Sequence, residues 1–194
     1  MFSAEFLRFL GYEAGADHIR GYHNELLHGL LQTEAYARAV IRGGSTYVRL
    51  TEMDRRVGVR MARQARLDGV HPLRLTTVVA EGALRQQVGG PDVMRAQLEH
   101  LLGLGTERPE QIEIRVMPFA AGAHPAPGGP FQILSFPSLR LPDLVWQEVL
   151  TSTDIIDQST RVADYSVTFE EARERALSSA ESLALIRWIA KEMR

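Results

Sequence analysis

The 194-residue chain contains no cysteine, which excludes disulfides, thiolate metal centres and cysteine nucleophiles. Of its 22 lysines and arginines the one lysine is Lys191, so the other 21 are arginine. That bias reflects a GC-rich coding genome better than a binding function. Aromatic residues are scarce, 7% with two tryptophans. No apolar run approaches the roughly 18 residues a membrane helix needs. The segment Met1 to Leu7 has no cationic stretch ahead of its apolar residues, as a secretory signal would. A cytoplasmic protein with no membrane partner is expected. The formal charge of −2 and a pI near 6.3 supply no positive field for phosphate binding; no direct nucleic-acid partner is expected. Gly89-Gly90-Pro91 lacks the Lys-Ser/Thr of a phosphate loop, and no Gly-x-Ser-x-Gly turn occurs. No cofactor is called for.

Hydrophobic residues at 45% and charged residues at 24% are the proportions of a globular protein. The apolar spacing predicts helix from Phe2 to about Leu27, weakened by Gly11, Gly15 and Gly21. A second helix is predicted over Leu30 to Ile41, with Thr33 available as its N-cap. A third runs from Thr46 to about Asp68 on the stripe Met53, Val57, Arg60, Gln64, Leu67. Strands are predicted at Leu73–Val79, Gln111–Met117, Phe131–Phe136 and Leu144–Val149. Gly89-Gly90-Pro91-Asp92 starts a helix that reaches Leu104 and carries Gln97 on its buried side. Ala120 to Pro130, rich in Gly and Pro, reads as a flap or a long hairpin loop. Helices Ser159–Leu177 and Ser179–Met193 follow, the last striped by Leu183, Ile186, Ile189 and Met193. The expected fold class is α+β: helical N-terminal and C-terminal segments packed around a small sheet of about four strands. It forms one domain over 1–194, helical over 1–69, mixed α/β over 70–150 and helical over 151–194.

Candidate site residues come from polar groups on apolar faces. Arg60, Arg63 and Gln64 lie on or beside the third helix's stripe, and a buried guanidinium must find acceptors. Either Glu13, Glu81 or Glu148 supplies them inside the domain, or a carboxylate ligand does. Glu81 and Glu148 stand at the ends of predicted strands, where two acids in one pocket would move protons. His28 is the third catalytic candidate, while Tyr36, Phe119, Phe131 and Trp146 read as pocket wall or core. Gln32 and Gln97 complete the ligand-binding set. His18, His23 and His28 recur every five residues, a step of about 140° on a helix, so they do not converge as metal ligands would.

Several segments carry a family resemblance: Tyr12-Glu13-Ala14, Ile19-Arg20-Gly21-Tyr22, Gly29 to Ala39, Arg60 to Leu67, Glu81 to Arg85, Val88 to Leu98 and Val116 to Phe119. In this order they resemble an actinobacterial domain of unknown function that forms the C-terminal effector half of XRE-family helix-turn-helix regulators. The resemblance implies a ligand-sensing or partner-binding module, with a small-molecule ligand and a small companion protein or a homodimer as partners. The chain starts about where the DNA-binding half would end, so no recognition helix is expected. His28 stands where the family pattern has Pro, and Leu27 where it has Val or Ile. The alternative is a natural-product biosynthetic enzyme of cyclase or isomerase type, using the same pocket for acid/base chemistry. A decoy dimer acting through an exposed stripe on the last helix is a third reading.

Overall fold

The computed structural model describes residues 2–44, 50–126, 128–138, 140–149 and 152–193. The Ser3 side chain accepts the Phe6 N–H at 3.1 Å and starts α1 (Ala4–Gly15). The chain turns extended at Ala16 and enters β1 (His18–His23), where continuous helix is predicted. This strand is the main departure from the sequence expectation, since it lies inside the segment read as helical. Thr33 caps α2 (Glu34–Gly43) as predicted, accepting the Tyr36 N–H at 3.3 Å. Helix α3 (Leu50–Arg63) gives way to a 3-10 turn over Gln64–Leu67, so the helix does not run on to Asp68. The start at Thr46 lies outside the described residues.

The chain continues through β2 (Arg74–Ala80), the short α4 (Glu81–Arg85), α5 (Pro91–Glu107) and β3 (Ile112–Met117). After a 3-10 turn at Phe119–Ala121 come β4 (Phe131–Ser135), β5 (Leu144–Val149), β6 (Ser152–Ile156), α6 (Ser159–Arg175) and α7 (Ser179–Glu192). Pro91 sits in the first turn of α5, where its missing N–H costs nothing. Gly89 ahead of it has φ +77°, and a Cβ there would stand 2.9 Å from the Ala39 Cβ, so the turn requires glycine on both counts.

The sheet has six strands in the order β3-β2-β1-β4-β5-β6, not about four. The first three are parallel and the last three join antiparallel. Helical crossovers link the parallel strands, as that geometry demands. One face carries Ile19, Leu75, Val79, Ile114, Val116, Leu134 and Trp146, packed by Phe9, Tyr36, Leu98 and Ile186 of α1, α2, α5 and α7. The other carries Tyr22, Val78, Phe131, Ile133 and Val145 under Val162, Phe169 and Ala172 of α6. Helix α3 leans on α2 through Ile41, Met53 and Val57.

Ile186, Ile189 and Met193 are buried, so the stripe of the last helix faces the core and not a partner. Within the Ala120–Pro130 stretch residues 123–126 pack on the protein: His124 Nε2 lies 3.3 Å from the Tyr22 hydroxyl, Arg175 donates to the Ala123 carbonyl, and Ala126 is buried.

A largely buried segment, Leu27 to Gln32, built around a 3-10 turn at Gly29–Leu31, crosses the first face between β1 and α2. Gln97 of α5, fully buried, donates to the Leu31 carbonyl at 2.7 Å and accepts the Thr33 N–H at 2.6 Å. Replacing Gln97 by Leu keeps the volume and strips both bonds. The variant should lose about 2 kcal/mol or more of unfolding free energy, read from urea titrations; a loss within about 0.5 kcal/mol, the range of a neutral surface change, would show that the segment holds itself.

Candidate functional site

Backbone polar groups buried in irregular chain need partners, and the predicted polar residues supply them to Leu27–Gln32. Gln32 donates to the Leu27 carbonyl at 2.8 Å, and the Tyr36 hydroxyl accepts the Leu27 N–H at 3.3 Å. Gln64 donates to the Gln32 carbonyl. His28 accepts the Leu30 N–H on Nδ1 at 3.1 Å, which leaves Nε2 to donate to Gln132 Oε1 at 3.1 Å. Arg60 donates to Gln32 Oε1 at 2.9 Å. The structure therefore gathers Gln32, Tyr36, Arg60, Gln64, Gln97 and His28 around one segment, and their bonds go largely to the protein itself.

Arg63, one turn beyond Arg60, makes a two-pronged ion pair with Glu13 of α1, both contacts at 2.6 Å. Glu13 is 1% exposed. The Arg63 guanidinium also lies over the Phe9 ring at 5.4 Å, and Phe9 stacks on Trp146 of β5 at 4.5 Å. A planar cation, a carboxylate and two rings thus join α3, α1 and the sheet. No carboxylate forms an ion pair with Arg60 among the described residues. Burial first, and then the positive charge of Arg63, lower its pKa, while Glu148 opposes the shift.

His23 and His28 meet edge to face at 5.1 Å between ring centroids. Burial holds His23 down to about 4 and His28 well below its ordinary value, the neighbouring His23 and Arg63 adding to the latter. Both rings are neutral at pH 7. Gly21 makes room for His23: a Cβ on it would stand 2.8 Å from His23 Nε2, an atom with no hydrogen-bond partner among the described residues. His18 instead points to Thr76, 3.0 Å away, and no group of metal-ligating side chains occurs among the described residues.

Outside the polar cluster a cleft of about 320 Å³ opens between α1 and α3. Leu10, Ala14, Val59 and Ala62 form apolar walls, and Glu13, Arg63 and Arg66 supply the polar lining. Arg66 donates from Nη2 to the Ala16 carbonyl at 2.7 Å, at the point where α1 hands over to β1. Its Nε is buried with no hydrogen-bond partner among the described residues, a state that costs about 1–3 kcal/mol. Ligand sites typically enclose roughly 300–1,000 Å³ with apolar walls and a few polar groups; this cleft lies at the small end.

The remaining candidates do not converge. Glu81 pairs with Arg85 at 2.7 Å and accepts the Phe119 N–H at 2.9 Å. Glu148 is exposed on β5. No hydrogen bond or ion pair joins Glu81, Glu148 and His28 among the described residues. Phe131 lies on the α6 side of the sheet and Trp146 on the α1 side, while Phe119 is 67% exposed against Gly82. Sequence reasoning missed Leu10, Ala14, Val59, Ala62 and Arg66 as a set; four of them are small or aliphatic and read as ordinary packing.

The fold and its buried polar segment define an α+β domain with a small apolar cleft over an ion pair. The chain belongs to the family described as "Domain of unknown function (DUF5753)", whose model matches residues 6–188. No curated protein and no solved structure matches it. Among the described residues no helix is long and apolar enough to cross a membrane.

Replacing Arg63 by Met leaves the Glu13 carboxylate buried and unpaired, which should cost about 3–5 kcal/mol. Adding Glu13→Gln should recover a large part of that loss, and additive effects across the double-mutant cycle would contradict a coupled pair. The two buried histidines also set a pH dependence. Their folded pKa values lie below the unfolded value, so the unfolded chain binds more protons below pH 6.5, down to about 4 for His23. Stability present above pH 6.5 is lost as pH falls through that window. Urea midpoints measured from pH 7.5 to 4.5 should fall, and His23→Gln should flatten the slope; an unchanged slope in the variant would remove His23 from the account.

Proposed function

We propose that the chain is a ligand-sensing effector module, of the kind that serves XRE-family helix-turn-helix regulators, and that it takes a small apolar molecule in the α1–α3 cleft. One observation carries this reading: the apolar cleft is lined by the same Glu13–Arg63 pair that ties α1 to α3. An occupant between Leu10 and Ala14 on one side and Val59 and Ala62 on the other bears directly on the contact between these helices. A ligand shifts a conformational equilibrium only by its differential affinity for the two states, and a cleft whose width is the spacing of two helices supplies such a difference. A companion protein or a second copy would read the altered helix pair. The binding reading is favoured over a cyclase or isomerase because Glu81 and His28 are committed to structural bonds and no hydrogen bond or ion pair links Glu148 to either among the described residues.

The neutral fluorescent amine N-phenyl-1-naphthylamine is a suitable probe of an apolar cleft. Its emission should rise saturably with the wild-type protein. Ala62→Trp, which fills the cleft from the α3 wall, should weaken that binding by at least about tenfold, or about 1.4 kcal/mol, with little change in fold. Equal binding by the variant would place the probe elsewhere and remove the support for this site.

A further inference from the structure

We infer that the molecule taken by the α1–α3 cleft is an organic acid, an apolar body with one carboxylate received by Arg66. The inference rests on the cleft reading above and adds the chemical class. Three charged side chains line the cleft: Glu13, Arg63 and Arg66. Glu13 and Arg63 neutralise one another through both carboxylate oxygens. Arg66 has no carboxylate partner among the described residues, so the cleft retains one net positive charge. The lining therefore repels an amine and attracts an anion.

The donor inventory points the same way. Arg63 commits Nε and Nη2 to Glu13. Arg66 commits Nη2 to a neutral carbonyl, that of Ala16, and its buried Nε has no hydrogen-bond partner among the described residues. A guanidinium presents a planar fork that fits a carboxylate, and such a charge-assisted pair is stronger than its bond to a carbonyl. A carboxylate in the cleft gives the Arg66 guanidinium the anionic partner that it lacks among the described residues. The apolar walls of Leu10, Ala14, Val59 and Ala62 take a hydrocarbon body. Because Arg66 holds the carbonyl at the α1–β1 junction, recruiting it to a ligand also reaches the end of α1.

Isothermal titration at pH 7.5 with octanoate, octanol and octylamine tests the class directly, since the three share one apolar body. The wild-type protein should bind octanoate roughly tenfold or more tightly than octanol, the ratio that one hydrogen bond to a charged group supports, and octylamine most weakly. Arg66→Gln should bring octanoate and octanol together, whereas Ala62→Trp should weaken both. The comparison of ligands on the wild-type protein stands whether or not Arg66→Gln folds. Octanol binding as tightly as octanoate, with Ala62→Trp weakening both, overturns the acid class and leaves the cleft reading intact. Binding of neither ligand, together with no effect of Ala62→Trp on the naphthylamine probe, overturns both.

Discussion

The Glu13–Arg63 ion pair is the contact on which the first half of the molecule depends. It is buried, two-pronged and placed where α1, α3 and the sheet meet. A buried pair of this kind does not by itself add much stability, because desolvation offsets the Coulomb attraction. What it does is fix a register: α3 can sit in one position against α1, since any slip strands two charges. The Arg63–Phe9–Trp146 column repeats that constraint with apolar surface. The cleft is a consequence. Ala14 and Ala62 are small, so helices held at this spacing by longer side chains do not close between them.

The same economy governs the segment from Leu27 to Gln32. Chain with a single 3-10 turn runs through the interior here because side chains from four directions supply its other hydrogen bonds: Tyr36 and Gln32 locally, Gln64 and Arg60 from the α3 side, Gln97 from α5, and Gln132 from the sheet through His28. His28 serves as acceptor to a backbone N–H and donor to a side chain at once, which requires the neutral ring that burial enforces. The polar network and the cleft share α3, so the helix that forms one wall of the cleft is also bonded to the buried Leu27–Gln32 backbone.

Elements with a strong period or a clear start signal were legible in the sequence. Strands β2, β3, β4 and β5 form where β-branched residues and Pro/Gly boundaries placed them, Thr33 and Pro91 open α2 and α5, and the stripe of α7 is core as its spacing implies. Strand β1 was not legible because His18, Arg20 and Gly21 are poor strand formers. Their place is set by partners far along the chain: Thr76 for His18, Asp143 for Arg20, and the folded-back ring of His23 over Gly21. Strand β6 lies in a region read as helical, although Thr153, Ile155 and Ile156 are β-branched strand formers, and it pairs antiparallel with β5. In the site, the sequence marked Arg60, Gln64 and Glu13 as polar groups needing partners, and the Arg63–Glu13 pair is one of the internal solutions it offered. Which groups would be consumed by backbone could not be read without the path of Leu27–Gln32. The cleft walls were invisible because alanine and valine carry no signal that separates an open face from a packed one.

Hydrogen–deuterium exchange with and without saturating N-phenyl-1-naphthylamine tests most directly the claim that the α1–α3 cleft is where this domain receives its signal. The account predicts slowed exchange concentrated in Ala4–Gly15, in Val59–Leu67 and at the Ala16–Asp17 junction, with β5 and β6 unchanged. Protection centred on the sheet edge, or an exchange pattern indifferent to the probe once binding is shown, would contradict it.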